Sequence, residues 1–118
     1  MRSNRVLLED ILERTDRILK NSKGLTREQF EADPNVFEAT LRHIEIIGEA
    51  VKNLPADVKD AYPNVPWRQI GRTRDILAHV YFAVSEERIW NIVSTEIPSL
   101  KVAIEQMIGD LDTSSGQP

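Results

Sequence analysis

Asp33-Pro34-Asn35-Val36-Phe37-Glu38-Ala39-Thr40-Leu41-Arg42-His43-Ile44-Glu45-Ile46-Ile47-Gly48-Glu49-Ala50-Val51-Lys52-Asn53 is the stretch whose reading decides the fold class. Its apolar residues Val36, Phe37, Leu41, Ile44, Ile47, Ala50 and Val51 recur every three or four positions, the period of an α-helix with one buried face. Asp33 is a suitable N-cap and Pro34 suits the first helical position. Gly48 is out of place by propensity, since glycine inside a helix costs about 1 kcal/mol relative to alanine. A close helix–helix contact would offset that.

The same period extends on both sides. Residues 4–20 predict a helix capped by Ser3 or Asn4, with Val6, Leu7, Ile11, Leu12, Ile18 and Leu19 on its apolar face and Gly24 beyond its end. Thr26-Arg27-Glu28-Gln29 has the form of a capping box before a short helix. Downstream, Pro55 to Ala61 predicts a short helical segment, and Tyr62-Pro63-Asn64-Val65-Pro66 a turn, because proline disfavours helix in the residue before it. Trp67 is read as a core anchor rather than a platform for stacking bases. Gly71 is expected to be a hinge before a helix over about residues 72–83. Ser85 caps a last helix that Pro98 should kink and Gly109 should end. Strand-like alternation is absent, so the expected architecture is an all-α, up-and-down bundle of about four to five helices. The expected boundaries are one domain over residues 1–109 and a disordered tail over 110–118.

Chemistry concentrates in Gly71-Arg72-Thr73-Arg74-Asp75-Ile76-Leu77-Ala78-His79-Val80-Tyr81. Arginine presents a planar fork of donors matched to phosphate oxygens. Histidine exchanges protons near neutral pH. Together they suit phosphodiester chemistry without a metal: in RNA the neighbouring 2′-hydroxyl is already the nucleophile, and what is missing is a proton carrier and a cation. Along a helix Arg74 and Tyr81 share a face, and Asp75 and His79 can be neighbours. Arg74 and His79, five apart, diverge by roughly 140°. A cleft facing a second surface would bring them onto one phosphate. The plainer reading is structural: a surface arginine, a hydrogen-bonded histidine and a rim tyrosine.

His43, Glu45 and Glu49 lie on the helix first quoted. Glu45 and Glu49 are four apart but lack partners at metal-ligand spacing, and the expectation is no metal. They are read as a solvated acidic edge, with Glu49 alternatively orienting an arginine near Arg74.

Arg74-x4-His79-x-Tyr81, with polar Asp75 after the arginine, resembles the motif of the HepT family, small HEPN-domain ribonuclease toxins of toxin–antitoxin pairs. Leu41 to Ala50 resembles the family's IE-x-IGEA helix, Pro66-Trp67-Arg68-Gln69-Ile70-Gly71 its approach to the motif, and Trp90 with Ile97-Pro98-Ser99-Leu100 its last helix. The likeness covers roughly residues 4–109. It implies a HEPN-like homodimer with two motif helices across a cleft, and a metal-independent endoribonuclease with Arg74 and His79 catalytic, Asp75 and Tyr81 supporting, and no cofactor. Arg68 and Arg72 would bind RNA, tRNA being one candidate. It further implies a nucleotidyltransferase antitoxin of the MNT type, which would AMPylate Tyr81. The alternative is a non-catalytic HEPN module that binds such a nucleotidyltransferase or a nucleotide.

Composition bounds these readings. The chain has 118 residues and a net charge of −4, which argues against a general nucleic-acid coat, since phosphate neutralisation dominates such binding. Residues 66–82 nonetheless hold three arginines against one aspartate. With no cysteine, disulfides and thiol nucleophiles are excluded. No apolar run approaches the roughly 20 residues of a membrane span, and the N-terminal segment is charged throughout, so the expectation is a cytoplasmic protein without membrane association.

Overall fold

A computed structural model describes residues 3–80 and 85–115. Seven α-helices follow in order: α1 (Asn4–Ser22), α2 (Arg27–Ala32), α3 (Pro34–Asn53), α4 (Ala56–Asp60), α5 (Trp67–Val80), α6 (Glu86–Asn91) and α7 (Ile97–Ser115). A π-helical turn, Ile92–Glu96, joins the last two. No strand occurs among the described residues, so the all-α expectation holds. No helix among them is long and apolar enough to cross a membrane.

The helix starts are those their caps dictate. Ser3 Oγ accepts from the Val6 amide at 3.2 Å. Thr26 and Gln29 form a complete capping box, and one Asp33 carboxylate oxygen accepts from the amides of Asn35 and Val36. Gly24, at φ 77°, supplies the left-handed residue after α1. Ser85 caps α6 through the Arg88 amide at 3.1 Å.

α1 packs against α3 on one side and α7 on the other, while α5 packs mainly on α3. Leu8, Ile11 and Ile18 of α1 meet Ile47 and Val51 of α3, and Ile104 and Met107 of α7, in one core that excludes water almost completely. Phe30 of α2 plugs one region of it, with its ring centroid 5.6 Å from Phe37 and 5.3 Å from Trp90. Because α5 is an outer helix, one of its faces is buried on α3 and another remains open.

Two sequence expectations change, those for Gly71 and Gly109. Gly71 is not a hinge: α5 is continuous from Trp67, and Gly71 is buried within it against the stem of Lys52. Trp67 is the anchor expected, donating from its indole nitrogen to the carbonyls of Lys59 at 3.0 Å and Tyr62 at 3.1 Å. Pro98 does interrupt the last helix, but by a π turn in which the Ile97 amide bonds to the Ile92 carbonyl. Proline has no N–H for the Ser94 carbonyl, and the wider turn before it absorbs the mismatch. Gly109 does not end α7, which runs to Ser115; Asp110 accepts from the Tyr62 hydroxyl and Asp112 pairs with Arg5, tying residues assigned to a tail onto the bundle.

Sequence reading places His43 on α3 without a role. It is buried beneath α1, with Nδ1 3.3 Å from an Arg14 guanidinium nitrogen. Arginine can only donate, so Nδ1 accepts and the imidazole is neutral with its proton on Nε2. Burial, then the charges of Arg14 and Arg17, hold its pKa below the ordinary 6.5, with Glu13 opposing. The unfolded chain therefore takes up this proton first on acidification. Stability should be full above about pH 6.5 and fall as pH drops below it, by no more than about 1.4 kcal/mol per pH unit for one proton. A His43→Gln protein, which can still accept from Arg14, should lose that part of the slope in urea melts between about pH 5 and 7; an unchanged slope would refute it.

Candidate active site

The site forms where α3 and α5 cross. Gly48 lies against Arg74, and Lys52, one turn further along α3, lies against Gly71, one turn earlier on α5. The helices therefore run antiparallel here. A Cβ placed on Gly48 would sit 2.1 Å from Arg74 Cβ and 2.7 Å from its Cγ. The missing side chain lets the Arg74 stem lie directly on the α3 backbone.

That stem carries the guanidinium to two carboxylates. One terminal nitrogen donates to Glu49 Oε2, and the other lies 3.3 Å from Asp75 Oδ1. The same Asp75 oxygen accepts from Lys52 Nζ at 2.6 Å. Glu49, Arg74, Asp75 and Lys52 thus alternate in charge along one chain of contacts. Arg74 Nε is buried and has no hydrogen-bond partner among the described residues. Partial burial works against the Arg74 charge, but attraction to Glu49 and the hydrogen bonds to Asp75 and Glu49 more than reverse it, so its pKa is raised. Asp75 is held below the usual carboxylate range, first by the hydrogen bond from Lys52. Both stay charged at any physiological pH, so any titration near neutrality must come from another group.

The second of the two offered readings of Glu49 is therefore the one observed: it grips an arginine. Glu45 pairs with Arg42 instead, and among the described residues no His, Asp and Glu side chains gather as a metal-binding group. Lys52 was missed by sequence reading. The signal available was its place one turn after Gly48 and three residues after Glu49, on the face those residues share.

Arg68 and Arg72 are exposed on the open face of α5. They line a cleft of about 1170 Å³ whose walls also include Lys52, Lys59 and Asp75. A second, apolar groove of about 530 Å³ lies between α3, α5 and α7; its one charged wall residue, Glu96, is engaged by Arg88. Of the Arg74 cluster, Lys52 and Asp75 line the first cleft. The backbone of His79 continues α5, whereas its side chain, and all of Tyr81, lie outside the described residues.

Comparison with known proteins identifies the family. The family described as Ribonuclease HepT-like matches residues 11–107. A Methanocaldococcus jannaschii protein provisionally named an RNase is 42% identical over 108 residues, spanning 92% of this chain and 89% of its own. A Thermococcus cleftensis protein named a probable ribonuclease HepT is 42% identical over 106 residues, spanning 90% and 96%. A Caldanaerobacter subterraneus protein, also provisionally named an RNase, is 39% identical over 108 residues, spanning 92% and 96%. No solved structure matches the chain. With the family match reaching from α1 to α7 across the Arg74 crossing, the chain belongs to the HepT-like ribonuclease family.

Proposed function

We propose that this ribonuclease is a metal-independent endoribonuclease, acting in the cytoplasm as the toxin of a toxin–antitoxin pair, with Arg74 and His79 as its catalytic residues. The observation that carries the reading is the Arg74 guanidinium, fixed between Glu49 and Asp75 on α5 five residues before His79. A cation held in advance where charge develops lowers the barrier without reorganising at the moment of reaction.

In this mechanism His79 takes the proton from a ribose 2′-hydroxyl. The 2′-oxygen attacks the adjacent phosphorus, and the P–O5′ bond breaks. Arg74 neutralises the added charge on the non-bridging oxygens, and the 5′-oxygen leaves with a proton from an imidazolium. The products are a 2′,3′-cyclic phosphate and a 5′-hydroxyl. Asp75 orients the cations around it, Tyr81 positions the strand, and Arg68 and Arg72 bind RNA. Because Arg74 and His79 diverge on one helix, a homodimer with two α5 helices across the cleft completes the site.

The reading includes an antitoxin, a nucleotidyltransferase that AMPylates Tyr81. The phenol oxygen attacks the α-phosphorus of ATP and pyrophosphate leaves. The adenylate anion then competes with RNA phosphate for Arg74. Intact mass after incubation with such an enzyme and ATP should show one added adenylate or more; a Tyr81→Phe protein that still gains it would rule the site out.

The test of the activity is incubation of total tRNA with purified protein in EDTA, followed by end-group analysis. Cyclic-phosphate and 5′-hydroxyl ends are expected. If unmodified wild-type protein leaves RNA intact, the chain is instead a binding module for a nucleotidyltransferase or a nucleotide, a reading its net negative charge favours.

A further inference from the structure

We propose that Lys52 is a positioning residue for the cleavage reaction: it draws the Asp75 carboxylate away from Arg74, so that the Arg74 guanidinium keeps donors for a phosphate. The inference rests on the ribonuclease reading for what Arg74 does with that phosphate.

The first observation is a contest for one oxygen. Asp75 Oδ1 lies 2.6 Å from Lys52 Nζ and 3.3 Å from an Arg74 terminal nitrogen. A charge-assisted N–H···O bond is about 2.7–2.9 Å long, so the lysine contact is a full bond and the arginine contact a weak one. The bond from Lys52 is also the largest cause of the lowered Asp75 pKa, ahead of those from Arg74. Arg74 has its closer partner in Glu49, on the other helix. Asp75 is the next residue after Arg74, yet it is turned to a lysine that α3 supplies.

The second observation is how that lysine arrives. Its stem crosses α5 over Gly71, where a Cβ would stand 3.5 Å from Lys52 Cγ. Gly71 is one turn before Asp75, so the stem follows the α5 surface to the carboxylate. Lys52 and Asp75 are each 46% exposed, and a pair so placed adds little to folding. Its effect is on the local distribution of charge.

That distribution decides what a phosphate meets. Glu49 and Asp75 are balanced by Arg74 and Lys52, so the cluster is neutral. Without Lys52, two carboxylates would share one cation, and both Asp75 oxygens could turn onto Arg74. A guanidinium has five N–H donors, and two carboxylates gripping it in pairs would take four of them. An RNA phosphate would then have to displace a carboxylate from an anionic site. Since the Lys52 ammonium is already bonded to Asp75, it acts through that carboxylate rather than on RNA.

The test is a double-mutant cycle on cleavage of one RNA by the unmodified full chain. Lys52→Met keeps the stem over Gly71 and removes the charge; kcat should fall roughly tenfold with KM little changed. Lys52→Arg, which still places a donor on Asp75, should recover most of the loss. In an Asp75→Asn background the Lys52→Met change should cost less than about twofold, because a neutral amide has no charge to turn onto Arg74. Urea midpoints of the Lys52 variants should match wild type. Three results would overturn the proposal: a wild-type rate in Lys52→Met, a loss of stability that accounts for the slower rate, or an equal loss in both backgrounds. The last would make Lys52 a direct RNA contact.

A second readout does not depend on cleavage. The Arg74 side-chain signals in ¹⁵N NMR, identified by their loss in Arg74→Lys, report rotation of the terminal amino groups, which tighter pairing slows. Rotation should be slower in Lys52→Met than in wild type and should recover in Lys52→Met/Asp75→Asn. Identical Arg74 signals in wild type and Lys52→Met would overturn the inference whether or not the protein cuts RNA. Wild-type protein that cuts no RNA, with the signals changing as described, would count against the nuclease reading alone.

Discussion

Arg74→Ala protein should cut RNA about 10² to 10³ times more slowly than wild type at saturating substrate, the usual loss when a prepositioned donor to a developing oxyanion is removed. The magnitude follows from how the guanidinium is held. It is half-buried on the Gly48 backbone, with Glu49 on one terminal nitrogen and Asp75 on the other. A side chain so fixed needs no reordering when phosphate arrives, so its contribution appears in kcat. Arg74→Lys keeps the charge but not the planar fork, and one ammonium cannot reproduce both carboxylate contacts together with a phosphate. It should recover less than about tenfold of the loss. Single-turnover cleavage of one RNA by the three proteins measures this; an Arg74→Ala rate close to that of wild type would remove Arg74 from the mechanism.

The second large effect concerns a residue with no reactive group. Gly48→Ala should destabilise the protein and slow cleavage, although alanine is the better helix former by about 1 kcal/mol. The added Cβ would lie 2.1 Å from Arg74 Cβ and 3.3 Å from its Cα. Those atoms are fixed to the α5 backbone, so no rotamer change relieves the clash and the two helices must move apart. Overpacking of this kind costs about 1–3 kcal/mol, enough to outweigh the propensity gain. Displacing the guanidinium by about 1 Å can cost on the order of 10²-fold in rate. Gly109 provides the internal control: it also lies inside a helix, and a Cβ there meets nothing within 4 Å. Gly109→Ala should stabilise by up to about 1 kcal/mol and leave cleavage as it was. Urea melts and cleavage rates on both proteins decide the matter, and a stabilised, fully active Gly48→Ala protein would contradict the account.

These two glycines also mark how far the sequence can be read. The period of residues 36–51, the capping box at Thr26–Gln29 and the Asp33-Pro34 start are local signals, and local hydrogen bonds and helix faces realise them. What a glycine is for depends on what lies opposite. Gly48 invites the idea of a close contact, but only the packing of α5 names Arg74 as its neighbour. Gly71 looks like a hinge because glycine so often punctuates helices, yet it serves as the flat surface under Lys52. Gly109 looks like an end because the signals beyond it are polar; long-range partners in Tyr62 and Arg5 carry the helix through. His43 was legible as helical but not as buried, since burial depends on where α1 crosses. In the candidate site, residue types and spacing pointed to Arg74 and to Glu49 beside it. Lys52 stands one turn after Gly48, but its partner Asp75 is named only once the two helices are laid together.

The most direct test of the central claim is cleavage of a single-stranded RNA in EDTA by wild-type protein beside His79→Ala, both verified by intact mass to be unmodified at Tyr81. The account predicts cyclic-phosphate ends from wild type and a rate about 10² to 10⁴ lower from the variant, the usual contribution of a general acid–base group. Equal cleavage by the two proteins would contradict it.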